Sequence, residues 1–261
     1  MIRAPREGPA LPDIVETLIR STSRGGEIDE QLFILEQGRL PTDARRQLRK
    51  DPALAERLFG IAHLDQLRTD YYFWDNTTLS MKRPLADFVR DRARVLEIGP
   101  GPSATLSLYL SRTRKNLDIT CAEIHLPFVE SATQAVALNQ APIRVVRSDM
   151  TAEVPGRFDV IFMNPPYVKP TGLQSMGTRP GSGEAQAGYG GTDGSDVTAA
   201  FLRAIPESLA PGGVALLGIN NGHLEDAKVM QLIDASAVRL LRKYYSVEQT
   251  PPYSQVYILQ A

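Results

Sequence analysis

The feature that most constrains the fold is an alternation of short apolar runs with longer amphipathic segments from Ala93 to the end of the chain. Short runs rich in Val, Ile and Leu are typical of buried strands, and apolar residues three and four positions apart are typical of helices. This alternation predicts an α/β fold with a doubly wound sheet and helices on both faces. Because right-handed crossovers bring the carboxyl ends of parallel strands to one edge, we expect a ligand cleft there.

The same periodicity gives the expected boundaries of the elements. We predict strands at 94–98, 117–123, 143–147, 158–163, 213–219, 238–247 and 255–259. We predict helices at 103–112, 126–139, 197–209 and 223–235. The last two strands are expected to pair across Pro251-Pro252. Between Val168 and Asp196, eight glycines and little periodicity predict a mobile substrate loop.

The N-terminal part of the chain has a helical pattern instead. Proline or a capping residue stands at Pro12, at Thr42 and at Asp51-Pro52, each near the start of an amphipathic segment, and Gly25-Gly26 interrupts the chain. A further helix is expected over 28–37. We predict a loose arm over 1–10, a helical substrate-recognition domain over 1–70, a connector over 71–92 and an α/β domain over 93–261.

Charge and composition narrow the functional classes. The chain has 29 basic and 30 acidic residues and a net charge of −1, which argues against nucleic acid as its partner. A single cysteine, Cys121, allows no internal disulfide, and three scattered histidines lack metal-ligand spacing. No signal peptide and no run of the ~20 apolar residues needed to span a membrane is found. We expect a cytoplasmic protein without metal or membrane partner, and the oligomeric state stays open.

A glycine-containing turn follows the first predicted strand of the α/β region and opens a helix. It contains Glu97, Gly99, Pro100 and Gly101, and its glycines allow a tight turn and a close approach of the backbone to a ligand. A dinucleotide site would have a third glycine where Ser103 stands. The carboxylate of Glu97 suits the amino-acid end of a cofactor. An ordinary strand-to-helix turn is the alternative for this motif alone.

Acidic residues also follow the next two predicted strands. Glu123 ends the second strand 24 residues after Gly99, where a carboxylate can accept both hydroxyls of a ribose. Asp149 follows the third strand, and it or the neighbouring Met150 would meet an adenine. Each residue alone could equally be a solvated strand end or a turn residue. In this order, the three signals fit a cofactor with adenosine and an amino acid but no phosphate.

The segment Asn164-Pro165-Pro166-Tyr167 follows the fourth predicted strand and is expected at the same edge of the sheet. The Asn164 side-chain oxygen and the Pro165 carbonyl offer two acceptors to the two N–H bonds of a planar –NH2 group. Such acceptors turn its delocalised lone pair toward an electrophile and stabilise the charge that develops on nitrogen. Proline holds the carbonyl rigidly, and Tyr167 offers an aromatic face. A proline turn that merely ends a strand is the alternative for the isolated motif.

These motifs resemble those of class I S-adenosylmethionine-dependent amino-methyltransferases, and more narrowly the HemK/PrmC glutamine-N5 methyltransferases. The resemblance covers about residues 72–261 and includes 184–194, which is similar to the family's Glu-Pro…Gly-Gly-x-Asp-Gly segment. It implies a seven-stranded Rossmann-like sheet with an antiparallel terminal hairpin, a small helical N-terminal domain, and S-adenosylmethionine as the methyl donor. The candidate catalytic residues are then Asn164, Pro165 and Tyr167. The candidate cofactor-binding residues are Glu97, Gly99, Pro100, Gly101, Glu123, Asp149, Met150 and Asn164.

Departures from the family concern the substrate side. The family's Arg-Pro-Glu-Thr connector is absent, and Lys82-Arg83-Pro84-Leu85 or Asp75-Asn76-Thr77-Thr78 stands in its neighbourhood. The Glu-Pro pair is Glu184-Ala185, and the N-terminal helices match no segment of the family. Phe73 and Trp74 belong to an aromatic run that either packs between the domains or forms a wall of the substrate pocket. We take Phe73, Trp74 and Glu184, together with the catalytic residues, as candidate substrate contacts.

The sequence therefore predicts an enzyme that methylates a planar –NH2 nitrogen of a side-chain amide or guanidine. The acceptor is a protein glutamine or a small molecule, and the residues leave both open. An adenine or cytosine amine of a nucleic acid is an alternative, which the balanced charge disfavours. A catalytically inactive fold that acts as a binding protein is another, and the intact Asn-Pro-Pro-Tyr motif argues against it.

Overall fold

The chain forms a seven-stranded sheet with helices on both faces, preceded by a layer of short helices. The computed structural model describes residues 11–24, 27–67, 69, 71–179, 181–246 and 254–261. The strands are β1 (Ser23–Arg24), β2 (Glu27–Ile28), β3 (Arg94–Ile98), β4 (Asp118–Glu123), β5 (Ile143–Arg147), β6 (Phe158–Met163), β7 (Leu209–Asn220), β8 (Arg239–Tyr245) and β9 (Ser254–Gln260). The α-helices are α1 (Leu11–Thr22), α2 (Glu30–Gln37), α3 (Thr42–Lys50), α4 (Pro52–Phe59), α5 (Asn76–Phe88), α6 (Thr105–Thr113), α7 (Leu126–Leu138), α8 (Pro170–Ser175), α9 (Gly183–Gly188), α10 (Asp196–Ser208) and α11 (Asp226–Asp234).

The strand order of the large sheet is β5-β4-β3-β6-β7-β9-β8, and β1 and β2 form a separate small pair. Strands β3 to β7 are parallel to their neighbours among themselves, and β9 runs antiparallel to both β7 and β8. The predicted α/β fold with a seven-stranded Rossmann-like sheet is thus confirmed. From β3 the chain adds β4 and then β5 on one side of β3, and it then crosses to form β6 on the other side of β3. This reversal places a crevice at the carboxyl ends of β3, β4 and β6.

The central strands are buried on both faces, which explains their nearly continuous apolar sequences. Alternate residues enter two different cores: Val95 of β3 belongs to one and Leu96 to the other. The first core lies between the sheet and helices α5, α6 and α7, and the second lies between the sheet and helices α10 and α11. The sheet is therefore held rigidly, and the ends of its strands are a stable platform for a site.

The N-terminal helices share the first core with the sheet. The rings of Phe33 in α2 and Trp74 lie edge to face, with centroids 5.8 Å apart. The ammonium group of Lys82 in α5 is buried, donates to the Leu58 carbonyl at 2.6 Å and pairs with Glu30. Because an unpaired buried ammonium is costly, these contacts hold α5 against α2 and α4.

Some segments differ from the sequence-based expectation. The predicted connector over 71–92 contains the 13-residue helix α5, and the predicted loop between Val168 and Asp196 contains the short helices α8 and α9. Thr42 is the first residue of α3, and Pro41 occupies the N-cap position. The arm over 1–10 and the Pro251-Pro252 junction lie outside the described residues. Among the described helices, none has the length and apolarity to cross a membrane.

The close packing of α5 on β7 gives a prediction about stability. A Cβ on Gly218 would lie 2.7 Å from Thr77 Cγ2 and 2.8 Å from Met81 Sδ, both in α5. We expect Gly218→Ala to lower the free energy of unfolding by roughly 1–3 kcal/mol, because one of the two elements must shift. Urea unfolding would measure it. Gln231→Ala on an exposed face of α11 is the control and should change stability by less than about 0.5 kcal/mol. Equal stability of both variants would contradict the expectation.

Candidate functional site

A first cavity of about 450 Å³ lies at the carboxyl ends of β3, β4 and β6. The turn after β3, the end of β4, the residues after β5 and the end of β6 all contribute to its wall. The structure brings every candidate cofactor-binding residue to this cavity, namely Glu97, Gly99, Pro100, Gly101, Glu123, Asp149, Met150 and Asn164.

The turn after β3 has a conformation that requires its glycines. Gly99 and Gly101 have φ angles of +67° and +63°, a region that strains residues with a Cβ. The Gly99 amide donates to the Ala122 carbonyl at 2.8 Å, which ties the turn to β4. The backbone therefore bends sharply and forms the floor of the cavity without side chains that would fill it.

Glu97 lies in this cavity wall and is almost fully buried. Its Oε2 accepts hydrogen bonds from the backbone amide of Ser107 at 3.1 Å, from the Ser107 hydroxyl and from the Cys121 thiol at 3.8 Å. Burial raises its pKa from 4.5 to about 7, although the Ser107 hydrogen bonds act in the opposite direction. One oxygen of Glu97 thus anchors α6 to β3 and β4, a structural task that the sequence did not indicate.

The charges that line the first cavity are carboxylates. Glu123 is buried at the end of β4, its Oε1 accepts the His125 amide at 2.9 Å, and burial raises its pKa. Asp75, Glu97 and Asp149 line the same space, and no lysine or arginine is among the described residues that do so. A phosphate would therefore be repelled, whereas a ligand with a positively charged group fits. The described residues contain no cluster of metal-ligating side chains.

A second cavity of about 700 Å³ lies on the other side of the Asn164–Pro166 segment. Residues from α3, from α8 and α9, and from the turn after β7 complete its wall. Asn164 and Pro166 line both cavities, whereas Pro165 and Tyr167 line only the second. The Asn-Pro-Pro-Tyr segment is thus the partition between two neighbouring binding spaces.

The side chain of Asn164 has a defined orientation in this partition. Its Nδ2 lies 3.2 Å from Asp75 Oδ1 and 3.3 Å from Thr78 Oγ1. A carboxylate only accepts hydrogen bonds, so the amide nitrogen must face Asp75. Asn164 Oδ1 then points away, and it is buried without any hydrogen-bond partner. A buried acceptor without a donor is costly and indicates a place where a ligand donates.

Asp75 is held in place by the start of α5. It is the N-cap residue, and its Oδ1 accepts the Thr78 amide at 2.7 Å and the Thr78 hydroxyl at 2.8 Å. The Thr78 hydroxyl in turn accepts the Asp75 amide, which completes a capping box. The cap therefore also orients Asn164. The sequence contains a signal for this cap, because Asp75 is followed three residues later by Thr78. It contains no signal for the contact between Asp75 and Asn164.

Tyr167 forms the inner wall of the second cavity. Its hydroxyl lies 3.1 Å from Thr77 Oγ1 and donates to Asp75 Oδ2 at 3.4 Å, and its ring stacks on His223 with centroids 5.9 Å apart. Burial raises the pKa of Tyr167 and lowers that of His223, so both are neutral at pH 7. The sequence does not predict His223 here, because it is 56 positions from Tyr167 and only the fold brings the two residues together.

The glycine-rich segment after α9 packs directly on the backbone of Tyr167. A Cβ on Gly190 would lie 2.5 Å from Tyr167 Cα, and one on Gly194 would lie 2.6 Å from the Tyr167 carbonyl oxygen. Backbone hydrogen bonds from Val168 to Gly188 at 2.9 Å and from Gly190 to Val168 at 3.1 Å continue this contact. Glycine is therefore required because the segment braces the partition from behind.

The remaining candidate substrate residues lie in different places. Phe73 and Trp74 are buried and line the first cavity, not the second. Glu184 lines the second cavity, accepts the Tyr72 hydroxyl and lies 3.9 Å from Arg46. Burial and the hydrogen bond to Glu184 raise the pKa of Tyr72 to about 12. The structure thus places Glu184, Asn164, Pro165 and Tyr167 together and sets the two aromatic residues apart.

Residues 77–178 match the family model of the methyltransferase small domain. Part of the chain is also similar to the release factor glutamine methyltransferase of Deinococcus radiodurans, with 27% identity over 130 residues, or 50% of this chain and 46% of that protein. It is similar to the ribosomal RNA small subunit methyltransferase C of Pasteurella multocida, with 33% identity over 76 residues, or 29% of this chain and 23% of that protein. The alignments thus span less than half of the length of these relatives.

Solved structures share the fold over a larger part of the chain. A methyltransferase from Pyrococcus furiosus superposes with a TM-score of 0.59 at 23% identity, covering 84% of this chain and 98% of that one. The 16S rRNA N2 G1207 methyltransferase RsmC of T. thermophilus, in complex with AdoMet and guanosine, superposes with a TM-score of 0.50 at 19% identity, covering 75% and 45%. Together with the family match, these similarities support a class I methyltransferase fold with S-adenosylmethionine as its cofactor.

The buried Glu97 gives a prediction about pH. Its folded-state pKa of about 7 exceeds the ordinary 4.5, so the folded protein binds a proton more tightly than the unfolded chain. Its contribution to stability is complete below pH 4.5 and is lost as the pH rises through 7. We expect Glu97→Gln to remove this component, on the order of 3 kcal/mol, from the pH dependence of the free energy of unfolding. Urea unfolding from pH 5 to 8 measures it, and identical slopes for wild type and variant would refute it.

Proposed function

We propose that the protein is an S-adenosylmethionine-dependent N-methyltransferase that methylates a planar –NH2 nitrogen, an amide or guanidine of a protein glutamine or of a small molecule. One observation carries the proposal: Asn164 Oδ1 is buried without a partner in the partition between an acidic cavity and a second, larger one. An –NH2 group entering from the second cavity would supply the missing donor.

The first cavity fits the cofactor by its charge and shape. S-adenosylmethionine, when bound, supplies a methyl group on a positively charged sulfur. Carboxylates without a lysine or arginine among the described lining residues favour such a cation. We assign Glu123 at the end of β4 to the ribose hydroxyls, and Asp149 and Met150 to the adenine. These assignments follow the order of the same residues along the sequence.

The residues of the partition would act on the acceptor nitrogen. Asn164 Oδ1 and the Pro165 carbonyl accept hydrogen bonds from the two N–H groups of the acceptor nitrogen and so direct its lone pair toward the first cavity. The same two dipoles stabilise the positive charge that develops on nitrogen, and they are already oriented by Asp75, Thr78 and the proline ring. The Tyr167 ring offers its face to the planar group. No general base is needed before transfer, because the proton can leave afterwards.

A base amine of ribosomal RNA is the second candidate acceptor. The similarity to ribosomal RNA small subunit methyltransferase C favours it, since a base –NH2 group is also planar and has a delocalised lone pair. The net charge of −1 disfavours it, because proteins that bind an RNA backbone usually carry an excess of basic residues. We also propose that the enzyme is cytoplasmic and that the N-terminal helices, through α3, contribute to substrate recognition.

Substitution of Asn164 tests the catalytic role. We expect Asn164→Ala to lower kcat by about 10²–10³-fold, because one of two preorganised acceptors is removed. Binding of S-adenosylmethionine, measured by calorimetry, should stay within a few-fold of wild type. Gln231→Ala on the exposed face of α11 is the matched control. Unchanged turnover in Asn164→Ala would contradict the proposal and favour a binding protein.

The acceptor class is tested by methyl-labelled S-adenosylmethionine. The protein is incubated with the label and with separated protein, nucleic-acid and small-metabolite fractions, and the label in each is counted. We expect label in the protein or metabolite fraction and none with Asn164→Ala. Label confined to nucleic acid would overturn the preferred acceptor and favour the base amine.

A further inference from the structure

The two cavities that meet at Asn164 differ in charge. Carboxylates line the first, whereas four arginines from α3 and from the junction between α2 and α3 reach the second: Arg39, Arg45, Arg46 and Arg49. The carboxylates of Asp75 and Glu184 in this cavity do not balance four guanidinium groups. An excess of positive charge beside the acceptor space is not needed for methyl transfer itself, so it reflects what is bound there.

Two of the four arginines are already engaged with the protein. Arg39 pairs with Glu36 at 2.8 Å. Arg46 donates to the Met176 carbonyl and lies 3.9 Å from Glu184, so it holds the segment of α8 and α9 against α3. These contacts explain both residues as parts of the wall.

Arg45 and Arg49 are less fully engaged. The Nη2 atom of Arg45 donates to the neutral Thr42 hydroxyl at 3.2 Å within α3, which leaves the charge of Arg45 uncompensated. Neither forms an ion pair within the described part of the chain, and the Nε atom of each is buried without a hydrogen-bond partner. Burial lowers the pKa of Arg45, and the charge of Arg49 lowers it further, so the two guanidinium groups repel each other. Two close, partly desolvated cations whose Nε–H groups lack an acceptor form a site that an anion would complete.

Arg45 and Arg49 line the same cavity as Tyr167 and His223. Burial is the main cause of the lowered pKa of His223, and the charge of Arg49 adds to it. The Arg49 charge likewise opposes the burial that raises the pKa of Tyr167. In addition, the Arg49 carbonyl accepts the Phe73 amide at 2.9 Å, which fixes α3 relative to the chain that leads into Asp75. An anion at Arg45 and Arg49 would therefore share one cavity with an –NH2 group at Asn164.

We propose that the methyl acceptor is an anion whose carboxylate or phosphate group binds between Arg45 and Arg49 while its –NH2 group lies at Asn164. The inference rests on the proposed function, because it takes the second cavity as the acceptor site. The cavity volume of about 700 Å³ suits a ligand of metabolite size. A neutral glutamine side chain alone would bring no negative charge to Arg45 and Arg49.

The test separates anion binding from methyl transfer. The full-length protein is first titrated with S-adenosylhomocysteine by calorimetry, and then with acetate and with inorganic phosphate at constant ionic strength. We expect saturable binding of at least one anion, weakened at least tenfold in Arg45→Gln and in Arg49→Gln. Stronger binding of acetate assigns a carboxylate to the acceptor, and stronger binding of phosphate assigns a phosphate. Absence of saturable binding of both anions would overturn the proposal.

Controls distinguish charge from folding and from the cofactor site. Arg45→Lys keeps the charge without the planar fork and should bind more tightly than Arg45→Gln, and Arg20→Gln on the exposed face of α1 should match wild type. S-adenosylhomocysteine should bind Arg45→Gln and Arg49→Gln as it binds wild type. Equal anion binding by wild type and both glutamine variants would refute the anion site. Failure of S-adenosylhomocysteine to bind wild type would instead contradict the proposed function, and the anion titration would still decide the anion site.

Discussion

The hydrogen bond from Asn164 Nδ2 to Asp75 Oδ1 is the interaction on which the site depends. It determines which end of the amide faces outward, and so it creates a buried acceptor at the boundary of two cavities. Asp75 can serve because it also caps α5, and α5 is packed against β7 at Gly218 and against the N-terminal helices through Lys82. The packing of α5 on the sheet thus fixes Asp75, and Asp75 fixes the orientation of the Asn164 side chain.

Charge separates the two sides of this partition. The acidic lining on the side of β3 and β4 suits a cation, and the guanidinium groups of Arg45 and Arg49 on the side of α3 suit an anion. Such an arrangement would place a positively charged donor and a negatively charged acceptor on opposite sides of Asn164 without mixing their sites. It would also give the N-terminal helices a part in substrate selectivity, since α3 supplies Arg45 and Arg49.

The sheet and the cofactor side followed from local sequence patterns. Buried strands have short apolar runs, and the residues that follow parallel strands meet at one edge of any doubly wound sheet. The sequence alone therefore predicts that Gly99, Glu123 and Asn164 lie close together. The substrate side could not be derived in this way. The contact of Asp75 with Asn164 and that of His223 with Tyr167 join segments that are distant in the sequence. Arg45 and Arg49 have the sequence pattern of an exposed helix face, and only the fold shows that they line a cavity together with residues of α8 and α9. The sequence predicts a connector where helix α5 lies, because Pro84 and a mixed composition obscure the apolar face of this helix.

A crystal structure of the protein with S-adenosylhomocysteine would test the division into two cavities most directly. We expect the ligand in the acidic cavity, with its ribose at Glu123, its sulfur toward the Asn164 partition, and the second cavity left free in front of Arg45 and Arg49. Binding of the ligand in the arginine-lined cavity, or an Asn164 amide turned away from Asp75, would contradict this arrangement.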